Sequence, residues 1–320
     1  MPHTSSTVGS VLITGPTGGL GRATTLELAR RPQSTRPDLL LVGRAGPKLA
    51  EIAREAREAG ATVHEIPTDL SRLADVGAAA AAVQELIDSE AARPLSTVIA
   101  NAGWSSADTR EASHDGFEMT FAVNYLAHAQ LIGDLHHRKL IGASATPTRI
   151  VLLSSNLYNP GLMQRMMGMP RPVWRDPVEL ATPAAAGTSK STKAAAIAYA
   201  NAKLALIYYA HEAQRKLGDG VAVVVFEPGW MPGTGLSREQ GAAVQAISRM
   251  MARMPGATTP ERSAPALASV ALDSRWEELR DGAFIEVDRV IEVAPFARDR
   301  DRENRLWEAT TELLQKAAGL

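Results

Sequence analysis

The stretch that most restricts what this chain can fold into is Thr14–Gly21, TGPTGGLG, set between the apolar run SVLIT and the helix-like GRATTLELARR. A strand that passes through a glycine-rich turn straight into a helix offers backbone N–H groups and the positive end of a helix dipole to an anion. Glycine suits such a turn because a side chain would hold the main chain away from a pyrophosphate. Two spacings fit the same letters. With Gly15, Gly19 and Gly21 as the working glycines the turn reads TGxxxGxG; with Gly18 in place of Gly19 it reads TGxxGxxG.

The remainder of the chain alternates in the same manner. The runs DLLLVG, ATVHEIP, LSTVIA, RIVLLSS and VAVVVFEP are β-rich. Between them lie the helix-like GPKLAEIAREAREAG, an Ala-rich helix up to about Ala92, an amphipathic helix from Ser113 to about Lys139, and the longest helix, from Ser191 to Gly218. Buried strands alternating with helices predict an α/β domain of the doubly wound, Rossmann type: a parallel sheet with helices on both faces and ligands at the carboxyl ends of the strands. No linker divides the chain, so residues 1–320 read as a single domain. Two segments interrupt the alternation. Residues 156–190, rich in Met, Pro and Ala, read as an insertion before the longest helix, and residues 229–260 as a substrate-loop region.

Composition removes several classes of function. The chain has no cysteine, which excludes disulfides, thiolate catalysis and Cys-ligated metal. A formal net charge of −1 supplies no electrostatic reason for nucleic acid or an anionic membrane as partner. No run approaches the ~20 apolar residues of a membrane span, and the N-terminal MPHTSSTVGS is too short and polar for a signal peptide. A cytoplasmic protein is expected. The seven histidines form no HxxxH pair and join no carboxylates at metal-ligand spacing, so no metal is expected.

Tyr199 and Lys203 stand at i and i+4 on the longest helix and so project from one face. A free tyrosine has a pKa of about 10, and moving it towards neutrality takes roughly 4 kcal/mol. An ammonium about 5 Å away at an effective dielectric of about 20 supplies roughly 3 kcal/mol of that. The pair is physically adequate as a general acid/base for a carbonyl or an alcohol.

In order along the chain, TGPTGGLG, TDL at Thr68–Leu70, NAG at Asn101–Gly103, Asn124, LLSS, YANAK and EPGW resemble the short-chain dehydrogenase/reductase superfamily, in its single-domain form, from about Val8 to Gly235. The resemblance selects TGxxxGxG as the operative spacing. It implies that Tyr199 exchanges the proton with the substrate oxygen, that Lys203 lowers the tyrosine pKa and holds the nicotinamide ribose, and that Ser155 hydrogen-bonds the substrate oxygen. Ser154 is the alternative, since neighbours on a strand face opposite ways. Asn124 is implied to shape its helix and anchor a water in a proton relay to Lys203. For the cofactor it implies Thr14, Gly15, Thr17, Gly19, Leu20 and Gly21 at the phosphates, Asp69 and Leu70 at the adenine, and Asn101, Ala102 and Gly103 along its length. Pro228, Gly229, Met231 and Thr234 are implied at the nicotinamide. The family commonly has a threonine where this chain has Gly233, so the carboxamide contact is expected to shift to Thr234.

The second strand ends in Gly43-Arg44, without the carboxylate that an NAD enzyme presents to the ribose. A guanidinium suits a 2′-phosphate, so NADP(H) is the expected cofactor and reduction the expected direction. TGLSREQ and ENRLWEATTELL resemble retinol-dehydrogenase-like enzymes and light-dependent protochlorophyllide reductases. The latter carry cysteines around the pigment; this chain has Trp230 after its Pro-Gly and no cysteine, which points to a different bulky, apolar carbonyl or alcohol substrate, in a biosynthetic setting. A non-redox epimerase or dehydratase that retains its cofactor, and an NADPH-binding scaffold, are the alternatives. Ser155 and Tyr199 are much further apart than in compact family members. The intervening Leu157, Leu162, Met163, Met166, Met167, Met169, Val173 and Trp174 are too apolar for a solvated loop. The insertion is expected to shape an apolar pocket and to cover the usual subunit interface, giving a monomer, with a homodimer as the alternative.

Overall fold

The computed structural model describes residues 8–143, 147–231 and 257–319; Gly233 and Thr234 lie outside the described residues. Strands β1 (Ser10–Thr14), β2 (Asp38–Gly43), β3 (Val63–Pro67), β4 (Leu95–Ala100), β5 (Thr148–Leu153), β6 (Val221–Glu227), β7 (Ala283–Glu286) and β8 (Arg289–Ile291) form one sheet in the order 3-2-1-4-5-6-7-8. All pairings are parallel except β7 with β8. Runs of Val, Ile and Leu make the central strands, which are buried on both faces as a covered parallel sheet requires. The order reverses between β1 and β4, so the crevice outside their carboxyl ends is where such a sheet binds a dinucleotide.

Alternation along each strand sorts the side chains into two cores. Val11, Ile13, Val224 and Phe226 pack towards α1 (Gly19–Ala29), α2 (Pro47–Glu58) and α8 (Pro260–Leu272). Leu12, Val223 and Val225 pack towards α3 (Leu73–Asp88), α4 (Ala127–His137) and α7 (Thr192–Leu217). A last helix, α9 (Arg300–Ala317), lies on the outer side of α7. Tyr209 stacks on Trp307 with centroids 5.7 Å apart, and the hydroxyls of Tyr125 and Thr310 are 2.6 Å apart. Buried Glu303 takes His211 Nδ1 at 2.7 Å and also pairs with Arg215. No helix among the described residues is long and apolar enough to cross a membrane.

Several expectations shift. The helix expected from Ser113 begins only at Met119, because Gly116 turns with φ +83° and the Glu118 side chain caps the helix by accepting from Phe121 N at 2.7 Å. The Ala-rich helix stops at Asp88, short of Ala92, where Glu90 enters the left-handed region at φ 58°. Before α4 the chain passes through a π-helical turn, Ala122–Leu126, which the periodicity does not betray.

The insertion carries two short helices, α5 (Leu162–Met166) and α6 (Pro177–Leu180). Its ends are fastened. Asn156 Oδ1 accepts from Gln164 Nε2 at 3.0 Å, and Asn201 Nδ2 donates to Val173 O at 3.1 Å. Trp174 meets the edge of Tyr208 at 4.8 Å, and Asp176 pairs with Arg305 at 2.8 Å. Its middle departs from the expectation of a packed apolar wall: Leu162, Met163 and Met166 are 68%, 71% and 80% exposed. A five-residue helix tethered only at its flanks has no described element to pack its apolar side against.

Candidate active site

The glycines of the turn differ in backbone conformation. Gly15 and Gly19 stand at φ +66° and +52°, the left-handed region that L side chains avoid, whereas Gly18 is extended at φ −169°, as any residue can be. A Cβ on Gly21 would lie 2.1 Å from Gly15 O and 2.5 Å from Asn101 Nδ2, so this position excludes a side chain by close packing. The positions whose backbone demands glycine are Gly15, Gly19 and Gly21. The first turn of α1 carries no acidic residue, which leaves its N–H groups and dipole open to a phosphate. Thr17 beside it is half-buried, while Leu20 is buried and belongs to the core beneath α1.

Asn101 and Thr14 lock β4 to this turn. Asn101 Nδ2 donates to Thr14 O at 2.8 Å and to Gly15 O at 3.2 Å, and Ala102 N donates to the Thr14 hydroxyl at 2.9 Å; Gly103 beyond them is exposed. His128, which no motif singles out, extends the lock. Its Nδ1 lies 3.0 Å from Asn124 O and its Nε2 2.9 Å from Thr14 Oγ1. A carbonyl only accepts, so Nδ1 carries the proton and Nε2 accepts from the Thr14 hydroxyl. Burial, with the Lys203 charge nearby, pushes this imidazole down to about 4, and it is neutral at physiological pH.

At the end of β2 the Arg44 side chain is exposed and has no hydrogen-bond or ion-pair partner among the described residues. It lies near enough to Asp69 to act on its charge. Burial works against that carboxylate, but hydrogen bonds from Ser71 N at 2.9 Å and Ser71 Oγ at 2.8 Å prevail, and Asp69 stays below its ordinary value. Leu70 is buried in the core, so only its backbone can face a ligand.

Tyr199 and Lys203 share one face of α7, with Lys203 Nζ 5.6 Å from the Tyr199 ring centroid. The lysine is buried and donates to Leu153 O at 2.6 Å; burial pushes it down to about 8. Tyr199 departs from the expectation of a lowered pKa. Burial, and then the charge of Glu227, hold its hydroxyl well above the ordinary tyrosine value. The ammonium sits by the ring and is turned towards Leu153, so its hydrogen bond goes to β5 and not to the phenol oxygen.

The adjacent serines have different partners. Ser154 is buried and its hydroxyl donates to Lys203 O at 2.9 Å, which ties β5 to α7. Ser155 is half-buried, and its oxygen accepts from Leu157 N at 3.2 Å, leaving the hydroxyl hydrogen uncommitted. Asn124 is wholly buried in the π-turn. It accepts from Trp104 N at 2.9 Å and donates to Trp104 O and Thr120 O, both at 2.7 Å. Its side chain is thereby spent on holding the loop after Gly103.

The turn after β6 completes the crevice. Gly229 has φ +86°, its N–H donates to Glu227 Oε2 at 2.8 Å, and Pro228 O accepts from Ser263 at 2.6 Å. Met231 is half-buried against the α1/α8 core. Away from Tyr199, an open recess of about 670 Å³ lies between the loop after β4 and the end of the insertion. Ser106, Asp108, Arg110, Glu111 and Lys190 line it, so its wall is polar and charged, and none of the expected site residues reaches it.

This geometry has known counterparts. The family described as short chain dehydrogenase matches residues 9–165. Dehydrogenase/reductase SDR family member 13 of Bos taurus is 30% identical over 321 residues, 97% of this chain and 73% of that protein. The chain belongs to the short-chain dehydrogenase family. It is therefore an oxidoreductase that works between an alcohol and a carbonyl. Human retinol dehydrogenase 13 is 28% identical over 95% of this chain and 84% of its own length, in keeping with the retinol-dehydrogenase-like resemblance of the sequence. The crystal structure of the angucycline C-6 ketoreductase LanV with bound NADP shares the fold, with a TM-score of 0.62 and 18% identity over 88% of this chain and 95% of that one.

The two serines can be separated experimentally. Ser154→Ala removes one buried hydrogen bond to α7 and is expected to cost about 1 kcal/mol of stability with turnover largely kept. Ser155→Ala should leave the urea midpoint in place and lower turnover at least tenfold. Reversed outcomes would make Ser154 the serine of the reaction.

Proposed function

We propose that the chain is an NADP(H)-dependent carbonyl reductase for a bulky, apolar substrate, with Tyr199 as the proton donor. The observation that carries this reading is the Tyr199–Lys203 pair facing the carboxyl ends of the central strands, beside a TGxxxGxG turn. When bound, NADPH supplies the hydride. Gly15, Gly19, Gly21 and the first amides of α1 would hold its pyrophosphate, Arg44 the 2′-phosphate, Asp69 and Leu70 the adenine side, and Lys203 the ribose. Asn101 fixes the turn from below. Tyr199 keeps its proton across the physiological range and delivers it to the substrate oxygen, and the free hydrogen of Ser155 orients that oxygen. Asn124 O uses one lone pair on His128 and has a second for a water leading towards Lys203.

The preference for NADP(H) rests on Arg44, exposed at the β2 end and unpaired among the described residues, and is supported by the NADP bound to LanV. The substrate class is supported by the apolar insertion and by relatives named for retinol. The outer face of α7 is covered by α9 and by Trp174, which supports a monomer.

Tyr199→Phe removes only the hydroxyl. Fold and NADPH affinity should persist while turnover on a panel of ketones falls by roughly 10² to 10⁴, the worth of a lost general acid; near-normal turnover would end this mechanism. Arg44→Ala should weaken NADPH binding by about 2 kcal/mol or more and leave NADH nearly unchanged, as titration of nicotinamide fluorescence would show. An equal loss for both cofactors would assign the phosphate to another residue. Deleting Gly161–Met169, which retains the Val173 anchor, should spare NADPH binding and raise KM for bulky ketones more than for small ones. The intact chain should sediment as a monomer. Unchanged KM values, or a tetramer, would contradict the role given to the insertion.

A further inference from the structure

His128 is the second residue of α4, only 1% exposed, and has no role in the chemistry described above. Thr14 and Asn124, the groups it reaches, are wholly buried, so their polar atoms must find partners within the protein. The bonds run in one direction. Ala102 N donates to the Thr14 hydroxyl at 2.9 Å, that hydroxyl donates to His128 Nε2 at 2.9 Å, and His128 Nδ1 donates to Asn124 O at 3.0 Å. The Asn124 side chain accepts from Trp104 N and donates to Trp104 O, while Asn101 Nδ2 donates to Thr14 O and Gly15 O. Residues 101–104 are thus held at one end by the glycine turn and at the other by the π-turn. His128 bridges the same two turns directly and closes the circuit. A rigid ring with a donor and an acceptor on different atoms suits that task. Asparagine and glutamine carry both polar atoms on one carbon, so either would reach only one of the two partners.

We propose that His128 is a positioning residue that fixes the Asn124 carbonyl relative to the glycine turn, so that the cofactor and the groups serving proton transfer keep one register. The inference rests on the function proposed above, in which the cofactor lies on the glycine turn and Asn124 O leads towards Lys203. The ring has to be neutral for this. An imidazolium has no lone pair for the Thr14 hydroxyl, and burial keeps His128 uncharged at physiological pH.

The two ends of the imidazole can be cut separately. In His128→Asn the amide nitrogen replaces Nδ1 and keeps the bond to Asn124 O, while the Thr14 contact is lost. In His128→Gln the amide oxygen stands in for Nε2 and keeps Thr14, while Asn124 O is released. The first should raise the Kd for NADPH roughly tenfold, the scale of one buried bond left unmade, and lower kcat much less. The second should show the opposite split, with the loss falling on kcat. In a Thr14→Val background His128→Asn should weaken NADPH binding no further, because the bond it removes is already gone. A readout without turnover keeps the test open should a variant fail to fold. In nitrogen NMR of histidine-labelled wild-type apoprotein, the ring with through-space contacts to the Thr14 methyl should carry its proton on Nδ1 and stay neutral through the physiological range. Equal effects of the two variants on Kd and kcat, or a His128 ring protonated at Nε2, would overturn the inference. An active Tyr199→Phe, or a wild type that does not bind NADPH, would instead sink the function on which it rests, so the two failures are distinguishable.

Discussion

The site depends on a lysine held where a charge is expensive. Lys203 is buried, and the only hydrogen-bond partner of its ammonium among the described residues is the Leu153 carbonyl. Taking an ammonium out of water costs free energy unless it is paired, and the displacement to about 8 from the 10.5 of a free lysine expresses a cost on the order of 3 kcal/mol. The direction follows from linkage. The folded pKa lies below the unfolded one, so the penalty is full below about pH 8 and relieved as pH rises through the window from 8 to 10.5. The surrounding packing offsets it. Ser154 ties the lysine's own carbonyl to β5, and α7 is buried over most of its length between the sheet and α9.

That packing explains why the last helix matters to a site it does not reach. Helix α7 has to be immobile to hold Tyr199 and Lys203 in register, and one face of it would otherwise lie open. The Tyr209–Trp307 stack and the His211–Glu303–Arg215 cluster close that face within a single chain. Burial drives the contact, while the buried ionic cluster fixes its register.

Much of this was legible in the letters, and the exceptions have physical causes. Runs such as LLLVG and VAVVVFE announced buried parallel strands because period and composition agree over their length. The three- and four-residue β8 and β7 escaped because nothing periodic fits in so few positions. Between Gly18 and Gly19 only the resemblance to the family could choose, since identical residues do not by themselves encode a φ angle. Ser154 and Ser155 differ only in which way the strand presents them. Of the histidines, His128 matters through a neighbour across the sheet, Thr14, more than a hundred positions away, and spacing carries no trace of that pairing. Glu227 was visible in EPGW, but its burial was not: a strand-end carboxylate is usually solvated, and the amide of Gly229 at 2.8 Å helps offset the burial of this one.

The electrostatic character of the crevice follows from setting Lys203 beside Glu227. One is a base displaced down to about 8 and the other an acid displaced up to about 7. Both therefore change charge within about a unit of neutrality, where ordinary lysines and glutamates do not. A nicotinamide ring differs by one positive charge between its oxidised and reduced forms. In a low-dielectric crevice such a change is costly unless nearby groups can adjust. Two buried groups poised near neutrality, on the same helix-facing side as Tyr199, can take up or release protons at small cost as that charge changes. Tyr199, held well above both, keeps its own proton throughout. The separation of these values accords with the roles proposed above, with the tyrosine as the acid and the lysine beside it setting the field in which it acts.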